Sequence, residues 1–281
     1  MIFEIKNDFL TVKISSLGAE IQSVTDGEKE YMWSGDEKFW TGKAPVLFPI
    51  CGGLPDDEFT YKGKTYTLKK HGFTRHSEFE VEKKEEDRIV FLLKSNEETL
   101  RQYPFEFELR QIYELSGNML KVETAVNNLT DGEMYFTTGS HEAYACPEGI
   151  EDYKIIFDKE EELIANALKG NLLTENTEVI LSGERELPLK ESYFEIDALV
   201  FKKHNSDKAV LTNGKRTIEV DFAGYEYLLI WQKCGAGYIC IEPWHGIPPM
   251  ENSSKAIEEK EGMIKIKKGE NYSTVHTIKF S

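Results

Sequence analysis

Large apolar side chains alternate with polar ones along much of this chain, and that period of two restricts the fold more than any other feature of the sequence. Between Phe105 and Leu115, apolar residues occupy most odd positions and charged residues occupy most even ones. After the turn signal Ser116-Gly117-Asn118 the alternation resumes, from Leu120 to Val126. A side-chain period of two is that of a β-strand with one buried face. We therefore predict a long antiparallel hairpin across these residues.

A second hairpin is predicted around Asn213-Gly214, because this pair suits the positive φ angles of a two-residue type I′ turn. Shorter runs with strand character recur along the rest of the chain, at residues 3–5, 11–15, 78–82, 89–94, 228–231, 238–241, 263–266 and 273–280. Many short strands at such spacing are typical of an all-β sandwich or barrel.

One helix interrupts this pattern at residues 96–103. Ser95 is predicted to cap its first amides, Glu98 to complete the capping box, and Pro104 to end it. No linker rich in proline, glycine or serine divides the 281 residues, and no internal repeat is visible. We therefore expect a single domain, residues 1–281, that folds as a large antiparallel β-sandwich with one or two short helices.

The charge of the chain excludes several classes of partner. It carries 34 Lys and Arg residues against 50 Asp and Glu residues, a formal net charge of −16. Phosphate backbones and anionic membrane surfaces bind clustered cations, so we expect neither nucleic acid nor membrane as a partner. No segment has the ~20 apolar residues of a membrane span, and no signal peptide is apparent. Four scattered cysteines without a CxxC pair suit a cytoplasmic protein. The oligomeric state stays open.

Common cofactor and nucleophile motifs fail on inspection. A phosphate loop ending in Gly63-Lys64-Thr65 needs a glycine where Glu58 stands, and that segment has the pattern of a hairpin. Gly235-Ala236-Gly237 lacks the third glycine and the helix of a dinucleotide site. Neither HExxH nor Gly-x-Ser-x-Gly occurs. Nucleotide hydrolysis, hydride transfer and serine esterase chemistry lose support, and we expect neither a cofactor nor a metal.

Two segments place ionisable side chains beside glycine and aromatic residues. His71 and Arg75 flank Gly72-Phe73, and His141 follows Gly139 where the chain leaves a predicted strand. Each segment has a plain structural alternative. The first could be a solvated basic loop, and the second could hold a core or capping histidine.

A third segment, residues 237–244, is more informative. In a strand, Cys240 and Glu242 share one face, while Ile239 and Ile241 share the other. If both faces are covered, Glu242 lies in a low dielectric beside Trp244, and its pKa rises toward that of a useful base. The alternative is an exposed glutamate at a strand end.

These segments, in this order, resemble the aldose 1-epimerase (galactose mutarotase) family in its shorter bacterial branch. The resemblance rests on HGFTR at 71–75, on His141 with an aromatic residue three positions later, and on CIEPW at 240–244. The run NEETLRQYPFEFEL and residues 197–201 also match, so the resemblance covers nearly the whole chain. It implies a galactose mutarotase-like β-sandwich with a sugar in a trough on one sheet.

The resemblance also implies roles for four residues. His141 would be the acid at the ring oxygen and Glu242 the base at the anomeric hydroxyl. His71 would be a ligand of the sugar hydroxyls, and Asp197 would accept a hydrogen bond from the sugar.

One position departs from the family pattern. Relatives often carry an arginine in the run that reads Pro49-Ile50-Cys51-Gly52-Gly53-Leu54 here, and Gly53 stands at the arginine position. Arg75 is a candidate to take over that role. The flat rings of Tyr144, Trp231 and Trp244 are candidates to contact the C–H groups of a sugar, although aromatic side chains are more often core.

The chemistry of anomer interconversion suits these residue types on its own terms, because one acid and one base open and close the sugar ring. We therefore predict an aldose 1-epimerase acting on a free hexose. Two alternatives stay open. A hexose 6-phosphate would suit the basic cluster Lys69, Lys70, Arg75 and His76, although the two lysines are expected to project into solvent. A sugar-binding or regulatory module without turnover would suit the missing arginine.

Overall fold

The computed structural model describes residues 1–281 and consists mainly of β-strands, which confirms the predicted all-β class. The single α-helix is α1 (Glu97–Gln102), and no helix is long and apolar enough to cross a membrane. The strands are β1 (Ile2–Lys6), β2 (Thr11–Ser15), β3 (Ile21–Thr25), β4 (Glu58–Tyr61), β5 (Lys64–Thr67), β6 (Glu80–Lys84), β7 (Arg88–Lys94), β8 (Phe107–Ser116), β9 (Met119–Asn128), β10 (Met134–Phe136), β11 (Thr138–Gly139), β12 (Ala143–Ala145), β13 (Lys154–Lys169), β14 (Leu172–Pro188), β15 (Leu199–Phe201), β16 (Lys208–Thr212), β17 (Thr217–Asp221), β18 (Tyr227–Trp231), β19 (Tyr238–His245), β20 (Ile264–Ile266) and β21 (Asn271–Phe280). Five 3₁₀ turns lie at Pro55–Asp57, Thr74–His76, Ile150–Asp152, Glu191–Phe194 and Ile257–Glu259.

Fourteen strands form one antiparallel sheet in the order β11-β19-β18-β15-β13-β16-β17-β21-β9-β8-β7-β6, with β12 added to β19 and β14 added to β13. Three smaller sheets, β1-β2-β3, β4-β5 and β10-β20, complete the strand pairing. Twisted sheets rarely exceed about ten strands without curling or splitting into packed layers. The predicted large antiparallel β-sandwich is confirmed.

The main hydrophobic core draws on both ends of the chain, from Ile5 to Phe280. A smaller buried cluster lies beneath one end of the large sheet and includes Leu47, Val200 and Trp244. A core shared between the chain ends favours the predicted single domain, residues 1–281, which we retain as a proposal.

The hairpin predicted from the alternating pattern is present. β8 and β9 pair from Phe107 with Asn128 to Ser116 with Met119, and their burial alternates along both strands. The hairpin predicted around Asn213-Gly214 also forms, but its turn differs from the prediction. Thr212 pairs with Thr217, so the loop has four residues and not two. The Asn213 side chain accepts hydrogen bonds from the amides of Lys215 and Arg216, and these two bonds favour the longer turn.

The cap predicted for the helix was wrong by one residue. Asn96, and not Ser95, is the N-cap, and its side chain accepts from the amides of Glu98 and Thr99. Thr99, and not Glu98, completes the capping box by accepting from the Asn96 amide at 2.8 Å. Ser95 instead accepts a hydrogen bond from the Phe107 amide. Asparagine and serine are about equally good N-caps, so capping preference alone does not choose between Ser95 and Asn96. Ser95 is engaged by the Phe107 amide at the start of β8, and Asn96 is the cap.

The longest hairpin of the molecule was not predicted. β13 and β14 pair over 16 and 17 residues and meet at Gly170-Asn171, and the pairing has several register shifts. Both strands are rich in Glu, and β13 also contains several Lys and Ala residues, all of which are depleted in strands. Tertiary pairing with β15 and β16 overrides that preference along β13.

Candidate active site

Strand register brings His141 and Glu242 together. β11 and β12 both pair with β19, through Gly139 with Trp244 and Ala143 with Cys240. Continuing this antiparallel register across the gap between β11 and β12 places His141 directly opposite Glu242. Residues 140–142 belong to neither strand, although the Ser140 amide still donates to the Pro243 carbonyl of β19. The His141 side chain is therefore presented at a break between β11 and β12.

A second layer of chain brings in the segment His71–Arg75. Phe48 forms a bridge with Gly72, and the neighbouring Leu47 forms a bridge with Gly139 of β11. A Cβ atom on Gly72 would lie 2.2 Å from the Phe48 carbonyl oxygen, and the φ angle of Gly72 is +72°. Only glycine therefore allows the two segments to approach this closely. The tight crossing holds His71 against the same end of the sheet as His141.

One cavity of about 230 Å³ collects all six residues predicted for the site. Its volume is several times the roughly 30 Å³ of liquid that one water occupies. The lining comprises Trp40, Pro45, Gly52, Lys70, His71, Arg75, His141, Leu168, Asn171, Asp197, Ala198, Leu229, Trp231, Glu242, Trp244 and Pro248. The structure thus unites residues that lie up to 173 positions apart in sequence.

At the bottom of the cavity, His141 Nε2 lies 3.4 Å from Glu242 Oε2. The two side chains are 9% and 2% exposed. Burial lowers the pKa of His141 to about 3, and the nearby Lys70 charge acts in the same direction. Burial raises the pKa of Glu242 well above its usual range, as expected for a strand covered on both faces. Both shifts favour the uncharged forms, which are a neutral imidazole and a protonated carboxyl group. The pair therefore holds one titratable proton beyond the N–H of the neutral imidazole, and this proton resides on Glu242.

The residues on either side of His141 are fixed by buried hydrogen bonds. Trp244 Nε1 donates to the Ser140 carbonyl at 2.8 Å. On the other side, Glu142 accepts from His276 Nε2 at 3.0 Å, and both side chains are buried. Burial acts to raise the pKa of Glu142, but the nearby His276 and the hydrogen bonds to the carboxylate together outweigh burial and hold this pKa below its usual range. His141 therefore sits on a backbone segment that is anchored at both ends.

His71 is buried and presents a hydrogen-bond donor to the cavity. Its Nδ1 accepts from the Gly52 amide at 3.1 Å, so Nε2 carries the proton of the neutral ring. Burial lowers the pKa of His71 well below its usual range. Its φ of +67° is unusual for a residue with a side chain, and such backbone strain costs about 1–3 kcal/mol. The solvated-loop alternative for this segment is wrong, because His71, Phe73 and Thr74 are buried.

Two cations face the cavity without a carboxylate partner. Arg75 donates to the Lys70 carbonyl at 3.3 Å, and its Nε is buried without a hydrogen-bond partner. Neither Arg75 nor Lys70 takes part in an ion pair, whereas the adjacent Lys69 pairs with Asp57 at 2.6 Å. The expectation that both lysines project into solvent was right for Lys69 and wrong for Lys70, which is partly buried.

Aromatic side chains form the walls. Trp231 and Trp244 line the cavity as predicted, but Tyr144 is fully buried in the main core and does not reach it. Sequence reasoning missed Trp40, whose ring stacks on His141 with centroids 5.0 Å apart. Trp40 lies between strands and belongs to no motif, so no local signal marked it.

The position of the missing arginine is filled from another part of the chain. A Cβ atom on Gly53 would lie 2.4 Å from the Cβ of Asn171, at the tip of the β13–β14 hairpin. Asn171 therefore occupies the space into which a side chain at position 53 would extend, and it also lines the cavity. Sequence reasoning missed this residue because the hairpin itself was not predicted.

One group of metal-ligating types occurs at the site. Ligand atoms of His141, Cys240 and Glu242 lie within 4.8 Å of one another. A nitrogen, sulfur and oxygen set of this kind is chemically compatible with Zn²⁺. The expectation that the protein needs neither metal nor cofactor stays a prediction.

Comparison with known proteins gives a consistent result. The aldose 1-epimerase family profile matches residues 1–279. The chain is 33% identical to the plasmid-encoded protein LacX of Lactococcus lactis subsp. lactis, over 95% of each chain. It is similar to the structure of a galactose mutarotase related enzyme from Lactobacillus acidophilus (35% identity, TM-score 0.95, 100% and 97% of the two chains). It is also similar to a galactose mutarotase-like protein from Lactobacillus casei (27% identity, TM-score 0.94, 100% of both chains).

Proposed function

Because this chain belongs to the aldose 1-epimerase family, we propose that it interconverts the α and β anomers of a free hexose, with His141 and Glu242 as the proton-transferring pair. The proposed proton transfers require only these two side chains, and we expect no cofactor to take part. We further propose that it works in the cytoplasm, where its four free thiols would stay reduced.

The distance between His141 and Glu242 is the observation that carries this proposal. Anomer exchange requires a proton to leave the anomeric hydroxyl and another to reach the ring oxygen, and both oxygens are bonded to C1. Acid and base must therefore lie close to each other at one end of the sugar. His141 Nε2 and Glu242 Oε2, 3.4 Å apart at the bottom of an open cavity, meet that requirement.

The single proton held by the pair suits the reaction in both directions. Transfer of that proton from Glu242 to His141 leaves an imidazolium and a carboxylate with no change in net charge. Glu242 then takes the proton of the anomeric hydroxyl, the bond between C1 and the ring oxygen breaks, and His141 protonates that oxygen. Rotation about the C1–C2 bond turns the aldehyde. Ring closure runs the same transfers in reverse on the other face of the aldehyde and regenerates the pair.

The remaining lining residues suit binding of a polyhydroxylated ligand. His71 Nε2–H offers a donor, and Asp197 offers a carboxylate whose Oδ1 already accepts from the Ala198 amide. The rings of Trp231 and Trp244 offer flat surfaces for the C–H faces of a sugar ring. Removal of water from this lining strengthens each polar contact.

A second candidate substrate, a hexose 6-phosphate, is favoured by one observation. Lys70 and Arg75 line the cavity and have no carboxylate partner, although acidic residues greatly outnumber basic ones in the chain. A phosphate group would supply the missing anion. Against it, the net charge of −16 slows the approach of a dianion, and we retain the neutral hexose as the proposal.

Polarimetry tests both candidate substrates, the neutral hexose and the hexose 6-phosphate. Freshly dissolved α-glucose, α-galactose and α-glucose 6-phosphate are followed with and without purified protein, and we expect acceleration with at least one neutral sugar. A phosphorylated sugar preferred in kcat/KM, with the preference weakened by salt and lost in Arg75→Ala, would replace the neutral substrate by the second candidate. Calorimetric binding of sugars without any acceleration would identify a non-catalytic binding module and contradict the enzymatic proposal.

A further inference from the structure

A polar cluster is buried behind the floor of the catalytic cavity. His276 Nε2 donates to Glu142 Oε1 at 3.0 Å, and the side chains of His276 and Glu142 are 3% and 5% exposed. Neither of them lines the catalytic cavity. They face a small internal space that is also lined by Gln111, Tyr113, Thr124, Ser140 and Tyr225. The proposed proton transfers leave this buried pair without a role.

The hydrogen bond between Glu142 and His276 crosses the sandwich. Glu142 lies between β11 and β12, His276 lies on β21, and six strands separate β11 from β21 in the sheet order. His141 lines the catalytic cavity and Glu142 lines the internal space, so these consecutive side chains face opposite sides of the chain. The Tyr225 hydroxyl lies 3.4 Å from His276 Nδ1, at the other edge of that ring. Glu142 thus ties the segment that carries His141 to the opposite layer.

Main-chain pairing does not hold His141 itself. Its neighbour is held, because the Ser140 amide donates to the Pro243 carbonyl at 3.1 Å. Neither His141 nor Glu142, however, forms a backbone-to-backbone hydrogen bond. The His141 ring gains no orientation from Nδ1, which is buried without a hydrogen-bond partner. Between Ser140 and the start of β12, the hydrogen bond that fixes this stretch is therefore the one made by the Glu142 side chain.

Stability alone does not explain a carboxylate at this position. A buried carboxylate loses its hydration, and replacing a buried charged pair by apolar side chains of similar volume is often neutral or stabilising. A role in holding the catalytic segment gives Glu142 and His276 a use that two apolar side chains would not have.

We propose that Glu142 is a positioning residue, held by His276, that fixes the main chain of His141 and so keeps His141 Nε2 within reach of Glu242. Glu142 touches neither the sugar nor the reacting atoms and acts only through His141. This inference rests on the proposed function for the role of His141 in turnover. The fixed position of the His141 ring does not depend on that function.

The charge of Glu142 gives the proposal a second observable. Burial lowers the pKa of His141 and Lys70 lowers it further, whereas the Glu142 carboxylate acts to raise it. Burial raises the pKa of Glu242, Lys70 acts against burial, and the Glu142 carboxylate adds to the rise. A variant that loses the Glu142 charge should therefore have lower pKa values at both members of the catalytic pair.

Most of the other ionisable groups packed around Glu142 remain uncharged. Burial raises the pKa of each tyrosine and of the thiol in this set, so they stay protonated over the working range of pH. The groups are Tyr113 on β8, Tyr144 on β12, Tyr225 before β18, Cys240 on β19 and His276 on β21.

The test compares two substitutions of Glu142, with mutarotation followed by polarimetry. Glu142→Ala removes both the tie and the charge, and kcat should fall about tenfold to a hundredfold while KM stays within about threefold, because misplacement of a catalytic group affects mainly kcat. Glu142→Gln keeps an acceptor for His276 Nε2–H. It should restore kcat at its optimum to within about fivefold of the wild type, with the alkaline limb of the profile moved to lower pH.

Two further variants separate positioning from stability. Tyr113→Phe removes another buried hydrogen bond that lines the same internal space, from the Tyr113 hydroxyl to the Ala19 carbonyl at 2.6 Å. This control should lower the melting temperature and leave kcat, KM and the pH profile unchanged. Glu142→Leu combined with His276→Leu replaces the pair by apolar side chains. This double variant should melt no lower than Glu142→Ala and should be equally slow.

Nuclear magnetic resonance of ¹⁵N-labelled histidine reads the position of His141 without turnover. Its ring signals are assigned by their loss in His141→Asn. We expect a single set of signals in the wild type and in Glu142→Gln, and broadened or multiple signals in Glu142→Ala. If the wild type accelerates no sugar but shows these differences, the proposed function fails and the positioning role stands.

Three results would overturn the positioning role. The first is a kcat in Glu142→Ala within about threefold of the wild type. The second is full activity in the apolar double variant, which would show that filling the space is sufficient. The third is an identical set of His141 ring signals in the wild type and in Glu142→Ala.

Discussion

At the floor of the catalytic cavity, His141 and Glu242 lie opposite each other along the paired strands β11, β12 and β19, whereas at its rim Lys70, Arg75 and Asn171 lie on loops and a hairpin tip. The floor is buried on both faces and anchored through Ser140 and Glu142. The rim is partly or fully exposed and has few hydrogen bonds. Such a division separates chemistry, which needs fixed geometry and shifted pKa values, from substrate choice, which loops can vary.

The largest effect is expected at the floor. Glu242→Gln keeps the shape of the side chain but removes proton transfer, so kcat should fall about 10²- to 10⁴-fold while KM changes little. Steady-state polarimetry measures both constants. Glu226→Gln, at an exposed glutamate just before β18, is the control and should match the wild type. A kcat within about threefold of the wild type in Glu242→Gln would place the base elsewhere.

The pH dependence of the rate should reflect the proton shared at the floor. The pair is active when it holds one titratable proton. Activity therefore falls at low pH, when His141 is also protonated, and burial lowers the pKa of His141 to about 3. Activity falls at high pH when Glu242 loses its proton, and because burial raises that pKa, this limb lies above the usual range of glutamate. We expect a bell-shaped profile of kcat/KM, with about tenfold loss per pH unit beyond each limb. An alkaline limb at the usual glutamate pKa would contradict this prediction.

A smaller effect is expected at the rim. Gly53→Ala adds a methyl group 2.4 Å from the Asn171 side chain, so the hairpin tip must move away from the cavity. Asn171→Ala removes the same side chain directly. Both variants should raise KM by about threefold to tenfold with little change in kcat, because each removes about one hydrogen bond from substrate binding. An unchanged KM in both would show that the rim residue Asn171 takes no part in binding.

The smallest effect is on stability, and it again separates floor from rim. The raised pKa of Glu242 stabilises the folded state fully below the unfolded pKa near 4.5, and this contribution is lost as pH rises through the folded pKa. Glutamine does not ionise, so Glu242→Gln should melt at a higher temperature than the wild type at pH 8, by roughly 2–4 °C for each kcal/mol gained. The two should melt alike below pH 4. Asn171→Ala should show no such dependence.

The same contrast separates what the sequence could predict from what it could not. The β8–β9 hairpin followed from local alternation, and burial of Glu242 followed from apolar neighbours on both faces of one short strand. Pairing of His141 with Glu242 is nonlocal, because it depends on the register of two strands about 100 residues apart. The resemblance to the aldose 1-epimerase family implied the pair and the chemistry of the two residues suited it, whereas the register that joins them was supplied only by the fold.

Rim residues were harder to predict, for a physical reason. Asn171 lies at the tip of a hairpin whose strands are rich in helix-forming residues, and tertiary pairing decided their conformation. Lys70 was expected in solvent because lysine usually is, yet the tight crossing at Gly72 draws it toward the cavity. Trp40 reaches His141 from a loop whose path no local pattern predicts.

The central claim is that His141 and Glu242 act as one unit, and a double-variant comparison tests it most directly. The rate of mutarotation is measured by polarimetry for the wild type, for His141→Asn, for Glu242→Gln and for the variant with both substitutions, each checked for folding. Groups that act as a unit give non-additive losses, so the double variant should be about as slow as the slower single variant. A loss in the double variant equal to the product of the two single losses would contradict the claim.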